Sequence, residues 1–515
     1  LKRILTEPYD ILKEWRNRIY NTSGISYQLL SNIIPELSLV ISDVSASDAI
    51  ELTEASTTLK ISFINLLSSF CNSKQPMIFF LDDLQWADKA SLDLIQTIIS
   101  EKEIPYLLFV GSYRDDKENA VVVFNYINEF LKEAHHISLP ILNEHTVKEL
   151  LTDIFIESNN DNVQVVEKSV SDFATFIYKK SNGNPLFLKY ILQSFYRDKY
   201  IAFNLDKNNW EFNVATISNI KLTSNIADLL IKELKSISAG GFEILKIASC
   251  IGRKFTVADL TALNDKDSFY VLSELDEGTQ NGFLNKNDEI ENDRYEFAHD
   301  RIHHAVYSDI PHEEKLNIHK RIVFFILEKL QFPHCENEKL EANIFDIVHH
   351  IDLTLELLIH ELGSVQISRL YMNAAKKAKK STAYETSLKY IRSAINILPK
   401  DVWEKDYSYA LSVYSEASDI AYLDRDFKSF TNYADAILYN AKDFLHKAKV
   451  VELQVQSFTV QNKNESAIHL GLEFLKRINI SLPKNPKFFQ VLIYYLKIRF
   501  FLFNKKISSL KNIKN

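Results

Sequence analysis

Glycine is scarce, with ten in 515 residues. Sandwiches and glycine-rich loops need more, so long helices are the natural reading. Cysteine is nearly absent. Cys71, Cys250 and Cys335 stand far apart, without the paired spacing of a metal knuckle, and point to a reducing, cytoplasmic setting. The opening "LKRILTEPYD" has neither an initiator Met nor the apolar segment of a signal peptide. No stretch reaches the roughly 20 apolar residues of a membrane span. The most apolar one, "FFQVLIYYLKIRFFLF" (488–503), contains Lys497 and Arg499 and reads as a core helix, with an interfacial helix as the alternative. A formal net charge of −8 gives no overall pull towards nucleic acid.

What is present is ordinary for a globular chain: 46% hydrophobic and 25% charged residues. A chain this long exceeds one core, so three or more domains are expected.

The stretch 76–140 has an α/β pattern. "MIFFL" (77–81) predicts a buried strand, Asp88 caps the helix that follows, and "YLLFVGS" (106–112) predicts a second strand. A helix near 120–134 and a short strand "ISLP" (137–140) complete the series. Uninterrupted apolar strands separated by helices predict a parallel sheet covered on both faces. Functional groups in such sheets lie at the carboxyl ends of strands, where Asp82, Asp83 and Arg114 fall.

From 141 onwards helices dominate. Asn143 opens one with Val147, Leu150, Leu151 and Ile154 inward, and "SNGNPLFLKYILQSF" (181–195) starts another. A hairpin spans 200–213. Residues 222–310 predict three short helices and a terminal strand-and-turn, "DRYEFAHD", as in a winged helix. Three degenerate units, around 374–399, 417–438 and 457–475, repeat at about 40 residues, near the period of helical-hairpin solenoids.

An apolar strand ending in Asp-Asp fits a Walker B strand. Mg²⁺ keeps most of its waters, so one or two carboxylates suffice to hold it. Asp82 is then the metal-side residue and Asp83 the group that orients or deprotonates the attacking water. The plainer reading is a surface turn that caps the next helix. Arg114 lies three residues past the next strand, where a guanidinium can reach a γ-phosphate; its plainer role is an ion pair with Asp115 or Asp116. "GNP" (183–185) puts Pro185 at a helix start, where its fixed φ is at home. His299 and His303 have i,i+4 spacing, but no Glu stands between them as a zinc metalloprotease helix requires.

Together, "FFLDDLQWADKASLDLI", "VGSYRDDKE", "SNGNPLFL" and "YEFAHDRIHHAVYSDIP" resemble the STAND-type signalling ATPases. In particular they resemble the ATPase region of large bacterial multi-sensor kinases, which join serine/threonine-kinase-like, GAF and histidine-kinase modules. "IIPEL" (33–37) and "IHLGLEFLKRINISLP" (468–483) also fit.

The resemblance implies a fold class: an α/β partial P-loop NTPase core followed by a helical lid, a winged helix and TPR-like helical repeats. The implied boundaries are 1–140 for the core, 141–215 for the lid and 216–310 for the winged helix. A helical linker (311–364), repeats (365–485) and a helical tail (486–515) follow. It further implies ATP/ADP and Mg²⁺ as cofactors, with Asp82 and Asp83 as the Walker B pair and Arg114 as the sensor arginine. Gly183 and Pro185 match the GxP motif, whose proline packs against adenine. His299 matches the winged-helix histidine that touches the ADP phosphates. The implied partners are covalently attached kinase and sensor domains and a protein on the repeats.

One departure is large. No G-x-x-x-x-G-K-[ST] occurs, and the only glycine before residue 76 is Gly24. That motif supplies the amide cradle and lysine for the phosphates. The expectation is therefore a fragment that starts after its P-loop and is inactive alone. Two other classes compete: a non-catalytic helical scaffold with a relic NTPase half, and a DNA-binding winged helix. The latter is disfavoured because 216–310 has no Lys/Arg-rich recognition face.

Overall fold

The computed structural model describes residues 1–23, 27–41, 55–100, 104–114, 135–155, 163–204, 209–212, 217, 230–232, 234–235, 238–264, 266–287, 293–334, 336–477, 479–484 and 487–501. They fall into two units, Leu1–Glu133 with Ile359–Asn515, and Ala134–Leu358. Helices predominate in both.

In the first unit, β1 (Met77–Leu81) and β2 (Leu107–Gly111) pair in parallel, Met77 opposite Leu107 and Leu81 opposite Gly111. Between them runs the Lys89–Ser100 helix, capped by Asp88, whose Oδ1 accepts from the Ser91 amide at 2.9 Å. Leu92 and Ile95 of that helix pack with Leu84, Leu81 and Phe109. Only one face of the strand pair is covered in this way. Ile78 (67% exposed) and Phe80 (58%) lie on the other, together with Leu108. The expectation of a sheet covered on both faces is not met among the described residues. Strand alternation sends Ile78 and Phe80 opposite to Phe79 and Leu81, and described elements pack only on the latter side. The predicted helix at 120–134 lies outside the described residues.

The predicted strand 137–140 is not formed. Residues 135–143 are neither strand nor helix, and Ile137 and Leu139 are exposed. An extended segment becomes a strand only beside a row of free amides and carbonyls, and no described strand pairs with it.

The same unit holds three helical hairpins: Ser364–Lys380 with Tyr384–Asn396, Tyr407–Leu423 with Phe427–Asn440, and Phe444–Val460 with Asn464–Arg477. They match the three sequence units. Small residues permit close packing, as Ala374, Ala375, Ala378, Ala394, Ala417 and Ala421 are all buried. The first two hairpins are also tied by a buried hydroxyl pair, Ser368 Oγ and Tyr409 Oη at 2.8 Å, while Ser368 Oγ lies 2.9 Å from the Ala394 carbonyl. The apolar 488–503 stretch forms the Phe488–Phe501 helix, but Phe488, Phe489, Leu496 and Phe500 are exposed. It is not a core helix among the described residues.

The second unit has one continuous core, from Val147 and Leu151 through Phe173, Ile191, Leu245 and Phe297 to Ile318 and Ile322. Asn143 caps the Glu144–Phe155 helix as predicted, its Oδ1 2.8 Å from the Thr146 amide. That helix buries Val147, Leu151 and Phe155, whereas Leu150 and Ile154 face outward, contrary to expectation. A stripe at i, i+4, i+8 fills the available face. The predicted hairpin is present, β3 (Ile201–Asn204) antiparallel to β4 (Asn209–Phe212). Three helices follow, Ala239–Ile251, Val257–Asn264 and Ser268–Gln280. They accompany a three-stranded antiparallel sheet in which β7 (Arg294–Phe297) lies between β5 (Lys254–Thr256) and β6 (Leu284–Asn287). The stretch expected as a linker belongs to this core through Ile318 and Ile322.

Candidate functional site

The carboxyl ends of β1 and β2 are adjacent because the strands are parallel and in register, which sets residues 82–85 beside 112–114. Ser112 begins the junction. Its amide donates to the Leu81 carbonyl at 2.9 Å, and its own carbonyl accepts from Leu84 at 2.9 Å. Its hydroxyl donates to Asp82 Oδ1 and accepts from the Asp83 amide at 3.2 Å. The Asp82 carboxylate is exposed, with one oxygen fixed in this way.

Asp83 occupies the left-handed region, φ 57° and ψ 45°, at the entry to the short 3₁₀ turn Leu84–Trp86. A non-glycine residue there is strained unless its surroundings hold it. They do. Gln85, itself buried, donates from Nε2 to Asp83 Oδ1 at 2.6 Å and accepts the Arg114 amide on Oε1 at 3.1 Å. The Arg114 guanidinium approaches the same carboxylate, Nε to Oδ1 at 3.8 Å. Sequence reasoning had paired Arg114 with Asp115 or Asp116 as its plainer role; both lie outside the described residues.

Asp82, Asp83 and Arg114 are thus brought together, and two further residues organise them. Ser112 and Gln85 were not singled out from sequence. Ser112 at a strand end carries a weak signal, whereas Gln85 has none, because its partners lie across the β1–β2 junction.

Among the described residues no group of three or more His, Cys, Asp or Glu is arranged to hold a metal ion. Two neighbouring carboxylates, one exposed, remain a fitting donor set for Mg²⁺, which takes hard oxygen ligands and keeps its waters.

Gly183, Pro185 and His299 belong to the second unit. Gly183 has φ +70°, and a Cβ there would lie 2.0 Å from the Leu142 carbonyl oxygen, so a side chain is excluded. Its carbonyl accepts from the Leu142 amide at 2.9 Å. Asn184 caps the Pro185–Arg197 helix through its Oδ1, 3.1 Å from the Phe187 amide, and Pro185 is exposed at the first helical position. His299 caps the Asp300–Asp309 helix: its Nδ1 accepts from the Arg301 amide at 3.1 Å. The capping bond assigns the acceptor role to Nδ1. Each of the three therefore has a local structural task.

Residues 1–110 match the AAA ATPase domain family. Curated relatives extend the likeness along the chain. The hybrid signal transduction histidine kinase G of Dictyostelium discoideum is 20% identical over 97% of this chain and 18% of its own length. The peroxide stress-activated histidine kinase mak3 of Schizosaccharomyces pombe is 24% identical over 68% of this chain and 14% of its own. The chain thus spans less than a fifth of the length of these relatives, which are eukaryotic. Among solved structures, a signal transduction ATPase with numerous domains and a tetratricopeptide-repeat sensor, from Pyrococcus horikoshii, superposes with a TM-score of 0.34. It is 13% identical, over 88% of this chain and 69% of that one, too loose a likeness to bear on the fold.

Proposed function

We propose that this chain is the nucleotide-switch region of a larger signalling kinase, a STAND-type ATPase module whose winged helix and TPR-like repeats relay its state to attached kinase and sensor domains. The observation that carries this reading is the junction at the ends of β1 and β2, where Asp82, Asp83 and Arg114 meet under the control of Ser112 and Gln85. The family match over residues 1–110 and the histidine-kinase relatives support it.

ATP bound with Mg²⁺ supplies a γ-phosphoryl group open to attack by water. Asp82, with one oxygen held by Ser112, would have the other available for a hydrated Mg²⁺. Asp83 would orient the attacking water and accept its proton. Arg114, 3.8 Å from the Asp83 carboxylate, would meet the γ-phosphate with charge-assisted bonds of about 1.5–3 kcal/mol each. For Gly183 and Pro185 the resemblance suggests an adenine role, and for His299 a role at the ADP phosphates. The repeats take a protein partner, and the setting is cytoplasmic and of the multi-sensor kinase kind.

These 515 residues contain no P-loop motif, so no β-phosphate cradle of that kind is among them. The chain alone should therefore bind Mg·ATP at roughly millimolar affinity or weaker, several powers of ten below a site with its P-loop. Calorimetric titration of the chain, beside a polypeptide that also carries a P-loop, tests this. Micromolar binding by the chain alone would overturn it.

A second reading is a non-catalytic scaffold. Three complete helical hairpins without a phosphate motif favour it. Failure to bind Mg·ATP even with the P-loop supplied would select it.

A further inference from the structure

Three successive helices, Asp300–Asp309, His312–Lys329 and Asn337–Leu362, are joined by a line of polar rings within residues 300–358. Tyr307 Oη lies 3.0 Å from His319 Nε2, and His319 Nδ1 lies 3.0 Å from His350 Nδ1. Both imidazoles are almost wholly buried, His319 at 2% and His350 at 4% exposure. Nothing in the nucleotide reading uses them.

Two Nδ1 atoms this close accommodate one proton between them. With both rings neutral the line closes in either direction. His319 donates to His350 and accepts from the Tyr307 hydroxyl, or His350 donates to His319, which donates to Tyr307. One added proton leaves a buried cation. A second sets N–H against N–H, and the bond between the rings is lost.

The surroundings oppose that charge. From its own helix His319 meets Lys315, whose Nζ stands 4.1 Å from the Tyr307 ring centroid. His349 neighbours His350 on the third helix, the two rings 5.4 Å apart. From the first helix come Tyr307 and His303, the latter bonded to the Ser249 carbonyl at 2.8 Å, with His304 against its ring. Cys250 belongs to the Ala239–Ile251 helix, and burial pushes its thiol up to about 12, so it stays neutral. Burial first, then positive neighbours, lowers His319 to about 4 and His350 to about 3.

The last helix also has a built-in bend. Thr354 departs from helical geometry (φ −130°, ψ 19°), and its hydroxyl donates to the His350 carbonyl at 2.8 Å. Such back-bonding is a recognised source of helix bending. The chain passes from one unit to the other at Leu358/Ile359, one turn beyond this kink.

We propose that the Tyr307–His319–His350 line is a proton-operated latch that fastens the arm of the kinked helix before Thr354 to the His312–Lys329 helix and lets it go when the imidazoles are protonated. The sign follows from linkage. Both groups are lowered in the closed state, so the latch is fully closed above the ordinary histidine value of 6.5. It weakens as pH falls from there towards 4, because the open state takes up the protons.

The test is amide hydrogen exchange of the full 515-residue chain at pH 7.5 and 5.5, corrected for the intrinsic pH dependence of exchange. Each histidine that is neutral when closed and free when open raises opening about 10-fold over this interval, so two give about 100-fold. That rise is expected for amides within 337–353, with a much smaller one in the Ala239–Ile251 helix. The double variant His319→Gln/His350→Asn, which keeps polar groups that do not titrate, should lose the rise. Should it fail to fold, His350→Asn alone should cut the response to about 10-fold. A flat wild-type response, an equal rise in both helices, or a full 100-fold response in the variant that folds would each overturn the latch.

Discussion

Gln85 Nε2 donates to Asp83 Oδ1 at 2.6 Å while Gln85 Oε1 receives the Arg114 amide at 3.1 Å, so one buried side chain fixes both the carboxylate and the backbone that delivers the arginine. Gln85→Ala removes both bonds and leaves the Arg114 amide without this acceptor. The expected loss is about 1–3 kcal/mol of unfolding free energy, measured by urea denaturation. A change below about 0.5 kcal/mol would mean that water replaces the amide and that Gln85 does not hold the junction.

Asp82→Ala should act on chemistry and spare the fold. Its carboxylate is exposed and no core is opened by its loss, so stability should change by less than about 1 kcal/mol. In a polypeptide that includes a P-loop, Mg²⁺-dependent ATP hydrolysis should disappear. Unchanged turnover there would refute the Walker B role of Asp82. Wild-type turnover should itself be slow, since a switch needs a long-lived bound state.

His299 carries two tasks that substitution can separate. His299→Ala removes the cap of the Asp300–Asp309 helix and should cost about 0.5–2 kcal/mol. His299→Asn restores a capping oxygen and should recover most of that stability. If His299 also meets the ADP phosphates, both variants should release ADP faster from the P-loop-containing polypeptide. Wild-type off-rates in His299→Asn would leave the histidine as a cap alone.

The repeat region from about 365 to 485 should fold when expressed by itself. Each hairpin contacts mainly its neighbours, so stability is distributed along the stack. A cooperative helical melt by circular dichroism is expected, and Ser368→Ala should lower it by weakening the tie to Tyr409. A non-cooperative melt would count against a self-supporting stack.

Local chemistry made much of this legible. Asp88 and Asn143 announce helix starts because a cap and its amides lie within three residues. The strands 77–81 and 107–111 stand out as apolar runs, and their parallel register then sets Asp82 beside Ser112 and the Asp pair next to the segment that carries Arg114. What stayed hidden depends on distant partners. Gln85 looks like any polar turn residue until Arg114 is placed against it. The strand predicted at 137–140 has the right alternation but no described neighbour to pair with. Leu150 and Ile154 satisfy a helical stripe, yet only the Val147–Leu151–Phe155 row meets the core. His319 and His350, 31 residues apart, give no pattern that couples them.

The shortage of glycine is written into the backbone. Nine described residues other than glycine adopt positive φ: Asp83, Tyr106, Asn182, Lys199, Gln331, Thr382, Arg425, Asn462 and Asn479. Three of them, Thr382, Arg425 and Asn462, sit at the same place, just past the first helix of each hairpin. There the chain turns left-handed where glycine would do so without penalty. A left-handed residue with a Cβ costs roughly 1–2 kcal/mol, less for asparagine. The same backbone mark therefore recurs in all three hairpins, carried by three different side chains. The hairpins also hold engineering headroom, since glycine at 382 and 425 offers a thermostable version of the stack without touching its packed faces.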